Sequence, residues 1–420
     1  MTSPPQAQLR IAIACGGTGG HLFPGLAVAD RLVRRGCAVT LLISPKEVDQ
    51  QAVRGVSGVD IVPLPAVGLK RGREFAFVRG FLQSYRAAAK SFKTRPPQAA
   101  LATGGFTSAP PILAAKRIGA RTFLHESNTI PGRANRWLSR VVDGTFVGFP
   151  AAADRLRRSS ATVTGTPTRP CFQAHDTATC RSKLGLDPDR PVLLVMGGSQ
   201  GASGINDLVL RSLPLFANRQ ADCQWLHLSG PKDFEKVSRT YAALRLKAIV
   251  HSFLTEMDIA LGAATAAISR AGASSLAELA AMRVPAVLVP YPAAMDNHQF
   301  HNARAIEAAG AACLLEQESA TPELLAQLLS DLVEKPAVRE KMQSALTQWH
   351  APQAAEKIAA AMLLAVGFKA SQGCSTHRQS AGGTPDHQVN LMSSNPSQTG
   401  RARTSPLAAC QPALPAERGT

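Results

Sequence analysis

Aromatic residues make up only 5% of the 420-residue chain, so its packing must rely on small and aliphatic side chains. The eight cysteines (Cys15, Cys37, Cys171, Cys180, Cys223, Cys313, Cys374, Cys410) contain no CxxC pair. That argues against a disulfide scaffold or a structural zinc site and for reduced thiols. No Gly-Lys dipeptide occurs, which excludes a P-loop. Met1 to Arg10 lack a basic n-region, and the apolar run Ile11–Cys15 is too short for a signal peptide. The longest uncharged stretch, Pro96–Ala115, contains four prolines and two adjacent glycines, so no membrane span is expected.

What is present is an apolar fraction of 45%, enough for two cores in a chain too long for one. The net charge of +17 points to an anionic partner, and it is unevenly placed. Residues 1–170 carry 24 basic and 8 acidic side chains, whereas residues 171–366 carry 17 and 19. The first half is the basic one. Beyond about Gly367 the composition turns to Ser, Gln, Gly, Pro and Thr without an apolar period, so 367–420 read as a disordered tail.

Short apolar runs alternate with helical periodicity from residue 9 to 335. Strands are expected at Leu9–Ala14, Ala38–Ile43, Asp60–Leu64, Ala99–Ala102, Arg121–His125, Gly144–Val147 and Ala161–Thr164. A second set follows at Val192–Met196, Gln224–Leu228, Ala248–His251, Ala266–Ser269 and Ala286–Val289. Helix-length segments between most neighbours predict parallel βαβ units, an α/β class with helices on both sheet faces. Each half opens alike: a strand runs into Gly16-Gly17-Thr18-Gly19-Gly20-His21 or into Gly197-Gly198-Ser199-Gln200-Gly201-Ala202, then into a helix. Two Rossmann-like doubly wound domains follow, 1–168 and 169–350, with a hinge near Thr166–Pro170. The helical stretch within 351–366 can pack back on the first domain. Ligands of such sheets bind at strand carboxyl ends, which places a site in the cleft between the two domains.

Glycine turns before helix N-termini suit phosphate, but the dinucleotide fingerprint fails. Leu22 and Gln200 stand where glycines are needed, and Ser44-Pro45 end the second strand without an acidic residue. Asp187-Pro188-Asp189 precedes a strand and reads as a proline turn, and His298 with His301 lacks the HExxH pattern. No metal site is expected. Further strand-end loops carry polar groups. Ser269–Glu278 opens a helix in which Glu278 suits a ribose diol, or simply compensates the helix dipole. Asp296 suits an N-cap, and the amide of Gln299 suits sugar hydroxyls. Thr103–Pro110 and His125–Gly132 complete the rim.

Together these strings resemble the MurG family of glycosyltransferases. The matching blocks are GGTGGHLFPGLAVAD at 16–30, GGFTSAP at 104–110, HESNTIPGRAN at 125–135 and TGTPTR at 164–169, then GGSQGA at 197–202, SRAGASSLAE at 269–278 and DNHQFHNA at 296–303. They cover about residues 9–365. The resemblance implies a GT-B fold. It also implies transfer of N-acetylglucosamine from UDP-GlcNAc to the 4-hydroxyl of MurNAc in lipid I, the undecaprenyl-diphosphate-linked MurNAc-pentapeptide. The products are lipid II, for peptidoglycan synthesis, and UDP. The reaction inverts the anomeric carbon and requires no cofactor, although a divalent cation can stimulate it. Another UDP-sugar transferase acting on a glycolipid is the alternative.

By motif position, Glu278 would bind ribose and the backbone at Leu254 would read uracil. Ser199 and Arg169 would hold the diphosphate, and Ala273, Ser274, Ser275, Leu276 and Ala277 would give helix-start contacts. Gln299 would meet the sugar, with Thr18, Gly19, Gly20 and Asn128 reaching across. Gly104, Gly105, Phe106 and Ser108 fall on the acceptor side, where Phe106, Ala109 and Ser127 replace the usual tyrosine, glycine and glutamine. His21 is the first choice for general base, with orientation of the acceptor diphosphate as its other role, and Glu126 the second choice.

A lipid-borne acceptor also gives meaning to the basic, aromatic stretch 68–95. Lys70, Arg71, Arg73, Phe75, Phe77, Arg79 and Phe81 form a patch suited to an anionic membrane surface. An ordinary amphipathic helix with buried aromatics is the alternative. A peripheral position at the cytoplasmic face of the inner membrane is implied, and no nucleic-acid motif is visible.

Overall fold

In the computed structural model the described residues are 8–17, 19–54, 56–66, 74–156, 161–198, 201–218 and 223–368. The stretch 369–420, and with it almost all of the expected tail, lies outside them.

The chain forms two all-parallel sheets. The first contains β1 (Arg10–Ala14), β2 (Ala38–Ile43), β3 (Val59–Pro63), β4 (Ala99–Ala102), β5 (Arg121–Glu126), β6 (Gly144–Val147) and β7 (Ala161–Val163), in spatial order β3-β2-β1-β4-β5-β6-β7. The second contains β8 (Val192–Met196), β9 (Gln224–Leu228), β10 (Ala248–His251), β11 (Ala266–Ser269), β12 (Ala286–Leu288) and β13 (Cys313–Leu314), in order β10-β9-β8-β11-β12-β13. The expected doubly wound α/β architecture is therefore present twice. Twelve strands lie within a residue or so of their expected places. β13 was not expected, because a two-residue edge strand has no apolar run of its own to announce it.

The central strands are buried along their whole length: every position from Val192 to Met196 and from Ala99 to Ala102 is buried. Such strands need helices on both faces, and the crossovers supply them. Their order reverses between β1 and β4 and again between β8 and β11. At each reversal successive connections leave on opposite faces, and a crevice opens at the strand carboxyl ends.

The cores differ in character. Around β1 and β2 the packing is aliphatic, with Ile11, Ile13, Leu41 and Ile43 against Leu22 and Leu26 of the helix Gly19–Arg34. Around β8 and β9 it includes Trp225, which meets Phe216 edge-on at 5.2 Å and Tyr241 at 5.8 Å. The helix Ala354–Ala365 follows the second sheet in sequence, yet it packs along Gly19–Arg34. Its Ala355, Ile358, Ala359, Met362 and Leu363 belong to the first sheet's core.

Ile358 is wholly buried there. Replacing it with Ala should cost about 3 kcal/mol, the usual penalty for such a cavity. Denaturant unfolding measures this, and a loss below about 1 kcal/mol would show that the helix is not part of the core.

Candidate active site

A cleft of about 1280 Å³ runs between the strand ends of the two sheets. Its walls include Gly19, Gly20 and His21 from the first glycine loop and Asn128 from the turn after β5. Opposite lie Gly197, Gly198 and Gly201, then Gly272 to Ser275 with Glu278. Leu254, Gln299 and Arg169 complete the groups expected there. Thr18 and Ser199 lie outside the described residues.

The first glycine loop is tied down by its neighbours. The backbone N–H of Gly17 donates to Asp49 Oδ2 at 2.5 Å, and Lys46 Nζ donates to the Gly17 carbonyl at 2.7 Å. Thr107 Oγ1 donates to the Gly16 carbonyl at 3.1 Å. Asp49 is fully buried, and Ser44 Oγ donates to the same carboxylate. Nothing in the glycine motif announces Asp49. It comes from the helix after β2, and only the fold brings it here.

His21 begins its helix with the imidazole against the turn after β4. Its Nδ1 lies 3.1 Å from the Thr103 carbonyl, while Thr103 Oγ1 donates to the His21 carbonyl at 2.6 Å. A carbonyl only accepts, so Nδ1 carries the proton and Nε2 keeps a lone pair. Burial holds the imidazole pKa below its usual value, against the opposing pull of Glu126, and this favours the neutral form. Room for the ring depends on Gly104 and Gly105, at φ +106° and +79°. A Cβ on Gly104 would stand 2.8 Å from His21 Nδ1.

Glu126 does not face the cleft. It is 1% exposed, and its Oε1 accepts from Asn128 N and Nδ2 at 2.8 and 3.1 Å. Its Oε2 accepts from Gly132 N at 3.0 Å and Asn135 Nδ2 at 2.8 Å. Four bonds use the carboxylate to organise a turn, so it is not available as a base. Ser108 is likewise occupied: its Oγ lies 3.2 Å from the Ala14 carbonyl and 2.5 Å from that of Gly104. Phe106 packs beside Gly17, and Lys46 sits 5.4 Å above its ring.

Across the cleft, the helix Ala273–Met282 presents its first turn and Glu278. Leu276 instead points into the core, and Ala277 is not on the wall, since helical spacing turns both away. Glu278 is 8% exposed, and burial pushes its carboxyl up to about 7, only partly offset by Arg169 at 4.0 Å. The Arg169 guanidinium packs between the rings of Phe23 and Phe172, at 4.6 and 4.9 Å. Gln299 Oε1 accepts from Tyr291 N at 3.0 Å. Arg270 is buried and bonds Val289 O, Pro290 O and Gln317 Oε1, and burial lowers its pKa to about 10. It stood within the SRAGASSLAE string without a role.

Asp296 is not an N-cap: it takes φ +52° and makes no capping bond, and its Oδ2 accepts from Arg136 Nη2 at 2.7 Å. Asp187 closes a turn through Asp189 N at 3.0 Å. Among the described residues no three His, Cys, Asp or Glu side chains gather to hold a metal.

The chain is similar to known glycosyltransferases. The glycosyltransferase family 28 N-terminal domain matches residues 11–147, and its C-terminal domain matches residues 192–358. A UDP-N-acetylglucosamine--N-acetylmuramyl-(pentapeptide) pyrophosphoryl-undecaprenol N-acetylglucosamine transferase of Anaeromyxobacter sp. (strain K) is 36% identical over 363 residues. The match spans 84% of this chain and 91% of the relative. A protein of the same name from Geobacter sp. (strain M21) is 34% identical, over 84% of this chain and 96% of its own. The crystal structure of Acinetobacter baumannii MurG superposes with a TM-score of 0.68 at 28% identity, covering 85% of this chain and 99% of that one. The calicheamicin glycosyltransferase CalG4 shares the fold, with a TM-score of 0.59 at 19% identity over 86% of this chain and 100% of its own.

The raised carboxyl of Glu278 makes stability depend on pH. The folded chain keeps this proton up to about pH 7, whereas an ordinary glutamate releases it near 4.5. The contribution is complete below about pH 4.5 and is lost as pH rises through 7. Glu278→Gln should flatten that decline in urea melts between those limits. An identical slope in the variant would show that Glu278 titrates normally.

Proposed function

The chain belongs to the glycosyltransferase 28 family, among its N-acetylglucosamine transferases of lipid-linked muramyl precursors, and we propose the following chemistry for its cleft. It transfers N-acetylglucosamine from UDP-GlcNAc to MurNAc of lipid I and releases UDP and lipid II. The observation that carries this reading is the sequence shared with a curated relative, 36% identical over 84% of this chain and 91% of the relative's own length.

In this reading the acceptor 4-hydroxyl loses its proton to His21 Nε2, the ring nitrogen left unprotonated by the bond to Thr103. The hydroxyl oxygen attacks the anomeric carbon from the face opposite the departing diphosphate, which inverts configuration. Negative charge then grows on UDP. Backbone N–H groups at the start of Ala273–Met282 and at Gly198 and Gly201, with the Arg169 guanidinium, meet that charge without reorganising. Glu278 accepts the ribose hydroxyls and ionises as they and Arg169 replace the lost hydration. Leu254 reads the uracil edge, while Asn128 and Gln299 approach the sugar from the two walls.

A lipid-borne acceptor requires an approach to the membrane. Among the described residues no helix is long and apolar enough to cross one. The helix Glu74–Thr94 buries Gly80, Ser84, Ala88 and Phe92, and turns Phe75, Val78 and Leu82 outward beside Arg79 and Arg86. Phe75 is 94% exposed. Phe77 and Phe81 are half-buried, so of the three expected phenylalanines Phe75 alone faces outward, together with Val78 and Leu82. Lys70, Arg71 and Arg73 fall outside the described residues. An exposed apolar stripe flanked by cations suits an anionic bilayer at the cytoplasmic face.

Three measurements test these readings. His21→Ala should lower kcat on a lipid I analogue about 100-fold, the usual worth of a general base. Transfer to unrelated glycolipids in preference to that analogue would overturn the acceptor assignment. Phe75→Ser should weaken sedimentation with phosphatidylglycerol vesicles about tenfold, from the lost burial of one aromatic. Unchanged sedimentation would remove this helix from the membrane contact.

A further inference from the structure

Asn302 lies in the helix His298–Ala308 and is wholly buried. Its Oδ1 accepts from both the backbone N–H and Oγ1 of Thr129, each at 2.9 Å. Its Nδ2 donates to Asn128 Oδ1 at 3.0 Å and to the Ala271 carbonyl at 3.1 Å. The full capacity of the amide is used. The Thr129 N–H and the Ala271 carbonyl also fix which end is oxygen, because a flipped amide would oppose donor to donor and acceptor to acceptor.

These partners come from three places. Asn128 and Thr129 follow β5 of the first sheet, Ala271 follows β11 of the second, and Asn302 sits one turn beyond the cleft residues His298 and Gln299. Asn128 is consequently bonded at both ends of its own amide, through Nδ2 to Glu126 and through Oδ1 to Asn302. The turn before this helix is pinned as well. Asp296 and Asn297 hold φ near +50°, the left-handed region that Asp and Asn enter more readily than other non-glycine residues, while Arg136 of the first domain pairs with Asp296.

We infer that Asn302 is a positioning residue that sets the closed register of the cleft. It fixes Asn128 of the acceptor-side wall against the donor-side helix that carries Gln299. The inference rests on the transferase reading above. Because the proposed uridine and diphosphate contacts at Leu254, Glu278 and Ala273 all lie in the second domain, they do not need this latch. Alignment of donor and acceptor does.

Asn302→Asp tests this. The shape is kept, but a carboxylate oxygen then faces the Ala271 carbonyl and Asn128 Oδ1. UDP affinity by titration calorimetry should stay within twofold of wild type, while kcat on a lipid I analogue should fall at least tenfold. Thr129→Val, which removes a single hydroxyl, should lower kcat less. Added to Asn302→Asp, it should lower kcat no further. Should Asn302→Asp fail to fold, Thr129→Val alone must show the same split between kcat and UDP affinity. An unchanged kcat, a UDP affinity that falls in step with kcat, or additive effects of the two substitutions would each overturn the latch. Wild-type protein inactive on the lipid I analogue removes the transferase reading and this inference together. An active wild type with an unaffected variant removes this inference alone.

Discussion

The parallel strand is the constraint on which the cleft depends. Where strand order reverses, beside β1 and beside β8, neighbouring connections leave on opposite faces and no helix covers the strand ends. Glycine turns and helix N-termini collect at these two openings. Their free backbone N–H groups would be costly if buried without partners, but they serve well against a diphosphate. Bulk charge is not needed for that purpose. The second domain is close to electrically neutral, while the positive surplus lies in the first.

Burial then sets the ionisation of the two central groups. His21 is kept neutral by desolvation, with its proton directed to the Thr103 carbonyl, and this leaves a basic nitrogen. Glu278 is also driven towards neutrality, which avoids the cost of a bare carboxylate held away from water. Glu126 is more deeply buried than Glu278, and its two oxygens accept four hydrogen bonds that organise the turn after β5, so it serves architecture.

Much of this was legible in the chain. Strands such as Val192–Met196 are uninterrupted apolar runs, and the two glycine turns stand in equivalent places after them. Period and turn chemistry therefore predict the class and the position of the site. The less legible parts depend on direction in space. Leu276 and Glu278 share one motif, yet the helical period turns the first into the core and the second to the cleft. Phe77 and Phe81 read as membrane residues beside Phe75, and the same period half-buries them. β13 has two residues and pairs only because β12 offers an edge.

The amino-acid sequence by itself determined the two-fold α/β plan, the family and the loops that form the cleft, because these follow from local periodicity and short motifs. Tertiary structure alone decided which side chains in those loops face the cleft. It brought Asp49 to Gly17 and Asn302 to Thr129, pairs separated by 32 and 173 positions. It also set the ionisation of Glu278 and the tautomer of His21, since burial and a fixed acceptor exist only once the sheets have packed.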